Sequence, residues 1–522
     1  MRIGIDVGGT HTDAALVDGE RVVATTKTPT TAEVSEGIAG ALRGVLVETD
    51  PAAVEAVMIG TTHFTNAVIE GTCLEETACV RLGFPATASL PPMVDWPDGL
   101  RERVGGHRFL ARGGHEFDGR EISALDEEEI QGVAARIRDR GITAVAVCSV
   151  FSPVDPTFEE RAAAILEEGV PEATVTRSHA IGRIGLLERE NAAILNASLG
   201  ALARRTMAGF EAALSESGIS APLWVTQNDG TLMSAEFATA FPILTFASGP
   251  TNSMRGAAFL AGREDAIVVD VGGTSTDVGA LRRGFPRLAG RAVSIGGVRT
   301  DFRMPDTRSV GLGGGSVVGL DPLEVGPRSV CYRLSSEALV FGGDMLTATD
   351  VAVAAGRAEI GDPARVAHLD RALIARTLER IDRTIEAAVD RMKTSAAPVP
   401  VVLVGGGSVL VGGEVAGAAE TIRPEHHAVA NAIGAAIARV GGACDRVFSL
   451  AETSRERALE AARAEAADRA VAAGADPHTV EILDLDEIPL AYLPGSAVRI
   501  TARAIGDLRA APARARRAEV GS

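Results

Sequence analysis

The chain has five cysteines in 522 residues (Cys73, Cys79, Cys148, Cys331 and Cys444), too few and too scattered for a disulfide framework. Cys73 and Cys79 are neighbours, but their spacing is not that of a zinc knuckle. Reduced thiols in packed positions are the expectation. No apolar run reaches the roughly 18 residues that a membrane span needs. The opening MRIGIDVGGT has no apolar h-region and no cleavage site, so a soluble, cytoplasmic protein with no membrane contact is expected. Positive charge is also short: 51 Lys and Arg face 69 Asp and Glu, for a net charge of −18. That balance disfavours nucleic acid and anionic lipid surfaces as partners. It leaves room for a local phosphate site built from backbone N–H groups and a metal ion. No Gly-Lys-[Ser/Thr] occurs, which excludes a P-loop.

What is present is globular in character, at 46% hydrophobic and 23% charged, and long enough for two or more domains. Glycine is abundant at 58 residues, so many backbone positions turn tightly or approach something closely. Residues 6–13 read DVGGTHTD and residues 270–277 read DVGGTSTD, agreeing in seven of eight letters. Each octet follows a short apolar strand (residues 2–5 and 266–269) and precedes another (14–17 and 278–281). The local expectation is strand, Gly-Gly turn, strand, repeated in two related halves.

Elsewhere helices and strands alternate, which means α/β or α+β. Asp126 with Glu129 predicts a capping box for a helix that stops at Gly141. A buried strand is expected over 142–151, and a helix from Pro156 to near Gly169. Residues 186–216 and 366–393 read as long helices. Residues 399–404 form a strand ending at Gly405-Gly406-Gly407-Ser408, and 428–440 a small-residue helix. Thr453 with Glu456 predicts a second capping box, opening a charged, solvent-exposed helix that ends near Gly474. Two short strands and a frayed tail after Leu508 complete the chain.

In each octet the glycines remove the Cβ atoms that keep a ligand from the backbone, and successive N–H groups form a concave anion site. Gly8, Gly9, Gly272 and Gly273 are the glycines concerned, with His11 and Ser275 beside them. The hydroxyls of Thr10, Thr12, Thr274 and Thr276 can add donors. Asp6 and Asp270, at strand ends, can hold a hydrated Mg²⁺ that bridges to phosphate oxygens. Two such turns face to face would clamp a polyphosphate. Plain β-turns are the alternative, but turns with no other duty diverge, and these two have not. The Gly405-Gly406-Gly407-Ser408 turn either lets an adenosine lie on bare backbone or simply links strand to helix. Gly311 to Ser316 looks like a dinucleotide fingerprint, but no βαβ unit opens there. Gly60 to Asn66 opens a helix after a strand. His63 and Asn66 there either orient a substrate or sit as an N-cap with a surface His. Asp13 and Asp277 close the octets as a base or as turn caps. His107 and His115 lie in a Gly/Arg-rich stretch best read as a plain loop, and His426-His427 is ambiguous.

Together these stretches resemble the hydantoinase A / oxoprolinase family, within the actin / sugar-kinase / heat-shock-chaperone ATPase superfamily. The resemblance is carried by 4–13, Gly60 to Ala67, Arg189-Glu190-Asn191 with Asn196-Ala197, 227–234, Ser248-Gly249-Pro250, 270–278, Gly313 to Ser316, Gly405 to Gly407 and the Asn431 to Ala436 helix. It implies two ribonuclease-H-like α/β domains around a central nucleotide cleft. The expected division is an N-terminal domain over 1–180, an ATPase domain over 181–450 and a C-terminal piece over 451–522. It also implies ATP and Mg²⁺ as cofactors, a small cyclic amide or imide as substrate, and a hydantoinase B-like second catalytic subunit as partner. His63, Thr65, Asn66, Arg189, Glu190 and Asn191 become candidate substrate contacts. Phosphorylation of a carbonyl oxygen makes an amide electrophilic, and such transfer asks a protein mainly for positioning and charge neutralisation. The resemblance thus implies an ATP-dependent hydrolase. A reactivase-like ATPase module and a small-molecule kinase are the alternatives.

Overall fold

The computed structural model describes residues 1–8, 11–29, 34–290, 292–491 and 496–509. The expected frayed tail lies almost wholly outside them. Among the described residues no helix is long and apolar enough to cross a membrane.

Two sheets share one plan. In the first, the strands Arg2–Val7, His11–Asp18 and Arg21–Pro29 run antiparallel, and Ala56–Thr61 then Leu223–Thr226 join parallel on the other side of Arg2–Val7. In the second, Ala266–Val271 pairs antiparallel with Thr276–Arg282, which pairs antiparallel with Thr307–Val310, and Val399–Val404 then Ala418–Ile422 join parallel on the other side of Ala266–Val271. Three antiparallel strands followed by parallel ones is the ribonuclease-H-like arrangement, so the chain is α/β with two such cores. A third, all-parallel sheet of Thr77–Phe84, His107–Arg112, Ala144–Ser149 and Thr174–Arg177 is inserted after the first core's fourth strand.

Sheet membership does not follow the contiguous segments expected from sequence. Arg439–Ser449, Glu481–Pro489 and Ala497–Gly506 extend the first sheet to nine strands, so residues beyond 450 return to the N-terminal core. The helix Arg455–Ala472 lies on this extension. Its N-cap is Ser454, whose hydroxyl accepts from the Arg457 amide, and not Thr453. Its expected all-round exposure is also corrected. Ala458, Ala462, Ala466 and Ala470 recur every four residues and are buried against Val440, Cys444, Val498 and Ile500.

Other expectations need smaller changes. The 186–216 stretch is two helices, Leu186–Ser198 and Gly200–Glu216. The small-residue helix is only Ala430–Ala436, and Val440 belongs to a strand. His107 lies in a strand, and His115 is buried with its ring 4.3 Å from that of Phe158. The Asp126 cap and the helix Glu127–Asp139 form as expected, with the Asp126 carboxylate accepting from the Glu129 amide.

Two helices cross between the cores. Ser248–Ala261 packs on the second sheet through Met254, Ala257, Val268 and Val402. Ala430–Ala436 packs on the first through Ala15, Val17, Ala432 and Ile433. They touch backbone to backbone: a Cβ on Gly434 would lie 1.8 Å from the Asn252 carbonyl oxygen, and one on Gly256 1.9 Å from that of Ala430. No larger residue fits at either place. This crossing fixes the two Gly-Gly hairpins relative to each other.

Candidate active site

The first octet is the hairpin of Arg2–Val7 and His11–Asp18, with Asp6 opposite Asp13 and Val7 opposite Thr12. The Gly8 amide donates to the His11 carbonyl at 3.0 Å. Gly9 and Thr10 lie outside the described residues. Asp6 is 5% exposed. Its Oδ2 accepts from Asn431 Nδ2 at 3.0 Å, and the same nitrogen donates to Asp13 Oδ2 at 2.9 Å. Lys27 Nζ donates to both Asp13 oxygens, at 2.9 and 3.0 Å. Asp6 Oδ1 is buried with no hydrogen-bond partner among the described residues. The neighbouring strand passes Gly60 beside it, where a Cβ would sit 2.7 Å from Asp6 Oδ1 and 2.3 Å from Asn252 Nδ2. Burial, and then the Asp13 charge, push the Asp6 carboxyl up to about 6, against the Asn431 hydrogen bond.

The second octet is the hairpin of Ala266–Val271 and Thr276–Arg282, with Asp270 opposite Asp277. The Gly272 amide donates to the Ser275 carbonyl at 2.8 Å. The segment Gly311 to Ser316 docks on this turn: the Gly314 and Gly315 amides donate to the carbonyls of Gly272 and Gly273 at 3.0 and 2.7 Å. Those carbonyls are thereby occupied, while the amides of Gly273, Thr274 and Ser275 have no partner among the described residues. Exposed Gly273 and half-buried Thr274 and Ser275 thus carry consecutive amides without an internal acceptor, although Gly313 packs close over the Thr274 nitrogen. Burial raises the Asp270 carboxyl above its ordinary value. Burial and the Asp270 charge raise Asp277 to about 6.

The two turns share one field. Asp6 is raised in part by Asp270, and Asp270 responds to Asp13 and Lys27 from the other core. A five-residue bridge joins them. The His427 carbonyl accepts from the Gly405 amide at 2.8 Å, and Asn431 holds Asp6 and Asp13. The glycines after the third strand have packing duties: a Cβ on Gly405 would lie 2.3 Å from Asp270 Oδ1, and one on Gly407 2.6 Å from the Gly272 oxygen. Gly406 alone faces open space. Ser408 is buried, with its hydroxyl 3.1 Å from His427 Nδ1.

Several expected contacts have other employment. Thr12 and Thr276 are fully buried, and the Thr276 hydroxyl donates to the Leu312 carbonyl at 2.6 Å, so these side chains do not present donors to a ligand. His11 is solvent-accessible at the turn, and partial desolvation of its ring together with the Lys27 charge lowers its pKa. The helix His63–Glu70 starts beside the first turn, its Thr62 amide donating to the Val7 carbonyl at 3.3 Å. His63 and Asn66 share its half-buried face, and burial lowers the His63 pKa. The Thr65 hydroxyl donates to the Phe246 carbonyl at 2.8 Å.

Arg189, Glu190 and Asn191 are buried with their polar atoms engaged, which corrects their reading as substrate contacts. Glu190 forms a two-bond pair with the fully buried Arg81, at 2.6 and 2.5 Å. Arg189 donates to the Ser178 hydroxyl and to the carbonyls of Arg183 and Ile184, each at 2.9 Å. Asn191 accepts from Trp96 Nε1 at 2.7 Å and donates to the Arg299 carbonyl at 2.9 Å. These three stitch the inserted sheet and the 299–303 segment to the first core. Lys27, Asn252 and the role of Asn431 were not foreseen. The signal for Lys27 was its rarity, since Lys27 and Lys393 are the chain's two lysines.

The donor set suits a hydrated divalent cation. Asp6 Oδ1 has no partner of good hydrogen-bond geometry although Asn252 lies near it, burial above all raises both strand-end aspartates, and Mg²⁺ needs only one or two carboxylates when waters and phosphate oxygens complete its shell. Among the described residues no group of three or more His, Cys, Asp or Glu forms a self-sufficient metal cage.

Comparison with known proteins gives the family and the fold. The hydantoinase/oxoprolinase N-terminal region matches residues 2–170, and hydantoinase/oxoprolinase matches residues 189–392. The chain is 28% identical over 390 residues to caprolactamase subunit alpha of Pseudomonas jessenii, covering 68% of this chain and 54% of that one. It is 29% identical over 399 residues to the acetophenone carboxylase gamma subunit of Aromatoleum aromaticum, covering 68% and 53%. The chain thus spans about half the length of these curated relatives. Among solved structures, the ATP-dependent caprolactamase of Pseudomonas jessenii superposes with a TM-score of 0.78 at 20% identity, over 98% of this chain and 88% of that one. A nucleotide-free acetone carboxylase gives 0.69 at 18%, again over 98% and 88%. With both family regions matched in order along most of its length, the chain belongs to the hydantoinase/oxoprolinase family.

Proposed function

We propose that the chain is the ATP-binding, phosphoryl-transferring part of an enzyme that activates the carbonyl of a small cyclic amide or imide. The observation that carries this reading is the meeting of two Asp-Val-Gly-Gly hairpins, one from each core, joined through Gly405 beside Asp270 and the 427–431 bridge whose Asn431 holds Asp6 and Asp13. The free amides of Gly273, Thr274 and Ser275 receive phosphate oxygens. Asp6 and Asp270 would hold Mg²⁺, which neutralises phosphate charge when bound. Open Gly406 offers backbone on which an adenosine can lie. His63 and Asn66, at the helix beginning beside the first turn, orient the carbonyl compound.

The chemistry balances. The amide oxygen bonds to the γ-phosphorus as the bond to the β-phosphate oxygen breaks, releasing ADP. Water adds to the activated carbon, the C–N bond breaks, and the nitrogen leaves as an amine after taking a proton. That leaves a ring-opened acyl phosphate, which a second water hydrolyses to the free acid and inorganic phosphate. Asp277, raised toward neutrality, is suited to accept a proton at the water. A second catalytic subunit of hydantoinase B type completes the enzyme, a reading supported by relatives named as alpha and gamma subunits. The carboxylase relative supports a second reading, in which a ketone oxygen is activated in the same way.

The test is ADP formation by the purified chain, with and without its partner, against hydantoins, 5-oxoproline, lactams and simple ketones. Stimulation by one cyclic amide with stoichiometric ring opening is the expected result. Turnover driven only by a protein, or release of a stable phosphorylated product, would replace this reading with an ATPase module or a kinase.

A further inference from the structure

We propose that Lys27 is a phosphoryl-contacting residue, parked on Asp13 in the nucleotide-free chain and transferred to the terminal phosphate of a bound triphosphate. The inference rests on the nucleotide-cleft reading above.

The first observation is compositional. Of 51 basic side chains, Lys27 and Lys393 are the lysines; the others are arginines. Lys393 is at the surface, donating to the Gly417 carbonyl. Among the described residues, every other side-chain cation paired with a carboxylate is Arg or His. An ion pair that served only the fold would be an arginine fork here, as Arg499 is on Asp445 and Arg161 on Glu127. A lysine ammonium is a compact charge on a flexible stem, able to change partners where a planar fork is committed to one.

The second observation is placement. Lys27 stands opposite Asp13 in the register of Arg21–Pro29 against His11–Asp18. Its Nζ holds both Asp13 oxygens and lies 3.5 Å from the Ala428 carbonyl on the bridge between the cores. The side chain is 36% exposed whereas Asp13 is 4% exposed, so the ammonium sits at the mouth of the pair with one side toward solvent. Its charge reaches Asp270 on the opposite hairpin. Asn431 also bonds Asp13, so that carboxylate keeps a partner when Lys27 leaves. A triphosphate adds several negative charges beside these carboxylates, and Lys27 is a partly exposed cation already at that place.

The experiment is calorimetric titration of Mg–ADP and of the Mg complex of the imido analogue of ATP. The proteins are the wild type, Lys27→Met, Lys27→Arg and the double variant Lys27→Met with Asp13→Asn. A charge-assisted phosphate contact predicts that preference for triphosphate over diphosphate falls about tenfold or more in Lys27→Met. It stays low in the double variant, which repairs the broken pair without restoring a phosphate contact, and it recovers in part in Lys27→Arg. An unchanged preference in Lys27→Met, or full recovery in the double variant, would overturn the proposal while leaving the cleft reading intact. Failure of the wild type to bind either nucleotide would remove both.

Discussion

Replacing Asp6 by asparagine in the nucleotide-free, metal-free chain makes the protein more stable and inactive at once. Asp6 is buried, and its carboxyl is raised from 3.8 to about 6 by desolvation and by the Asp13 charge. A carboxyl raised on folding carries a penalty in its ionised form. That penalty is absent below the unfolded value near 4, grows as pH rises, and is complete above about 6. At 1.36 kcal/mol per pKa unit the full penalty is on the order of 3 kcal/mol. The Asp6→Asn side chain escapes it and can still accept from Asn431 Nδ2, though through a weaker, uncharged bond. The expected outcome in urea unfolding with EDTA is a net gain of about 1–3 kcal/mol at pH 7.5. The gain shrinks at pH 5 and vanishes near pH 4, and ADP formation is lost at every pH. A variant less stable than wild type at pH 7.5, or a gap that does not change with pH, would refute the reasoning.

Glu190→Ala strands the Arg81 guanidinium in a dry core and should destabilise by about 3–5 kcal/mol in urea titration; a neutral result would return Glu190 to the cleft. Gly60→Ala drives a methyl between Asp6 and Asn252, and should lower the unfolding midpoint and weaken Mg–nucleotide binding in the same preparation. Asp270→Ala should abolish ADP formation while far-UV circular dichroism stays that of wild type; wild-type turnover would cancel its metal role. Removing divalent cations with EDTA should stop ADP formation, and adding Mg²⁺ back should restore it.

The repeated octet made the plan of the fold legible, because a glycine pair between apolar strands has few structural solutions. Burial on both faces made Val399–Val404 equally plain. What escaped was long-range. The return of residues 481–506 to the first sheet depends on the strand Arg439–Ser449, which itself joins that sheet by pairing with Thr231 and Leu232 far back in the chain, and no local pattern carries that pairing. The alanine stripe of Arg455–Ala472 was hidden by its many charges, since small apolar residues weigh little in hydropathy yet allow close packing. Within the site, the leading aspartates could be placed from their position at strand ends. Thr12 and Thr276 could not, because side chains alternate faces along a strand and the turn's exact end decides which face each takes. Arg189 and Glu190 stand at the start of a helix with nothing local to mark them as buried, and it is the inserted sheet, bearing Arg81 and Ser149, that engages them.

The most direct test of the central claim is a crystal structure with Mg²⁺ and the imido analogue of ATP. The account predicts phosphate oxygens on the amides of Gly273, Thr274 and Ser275, with the metal between Asp6 and Asp270. A triphosphate bound away from either hairpin would contradict it.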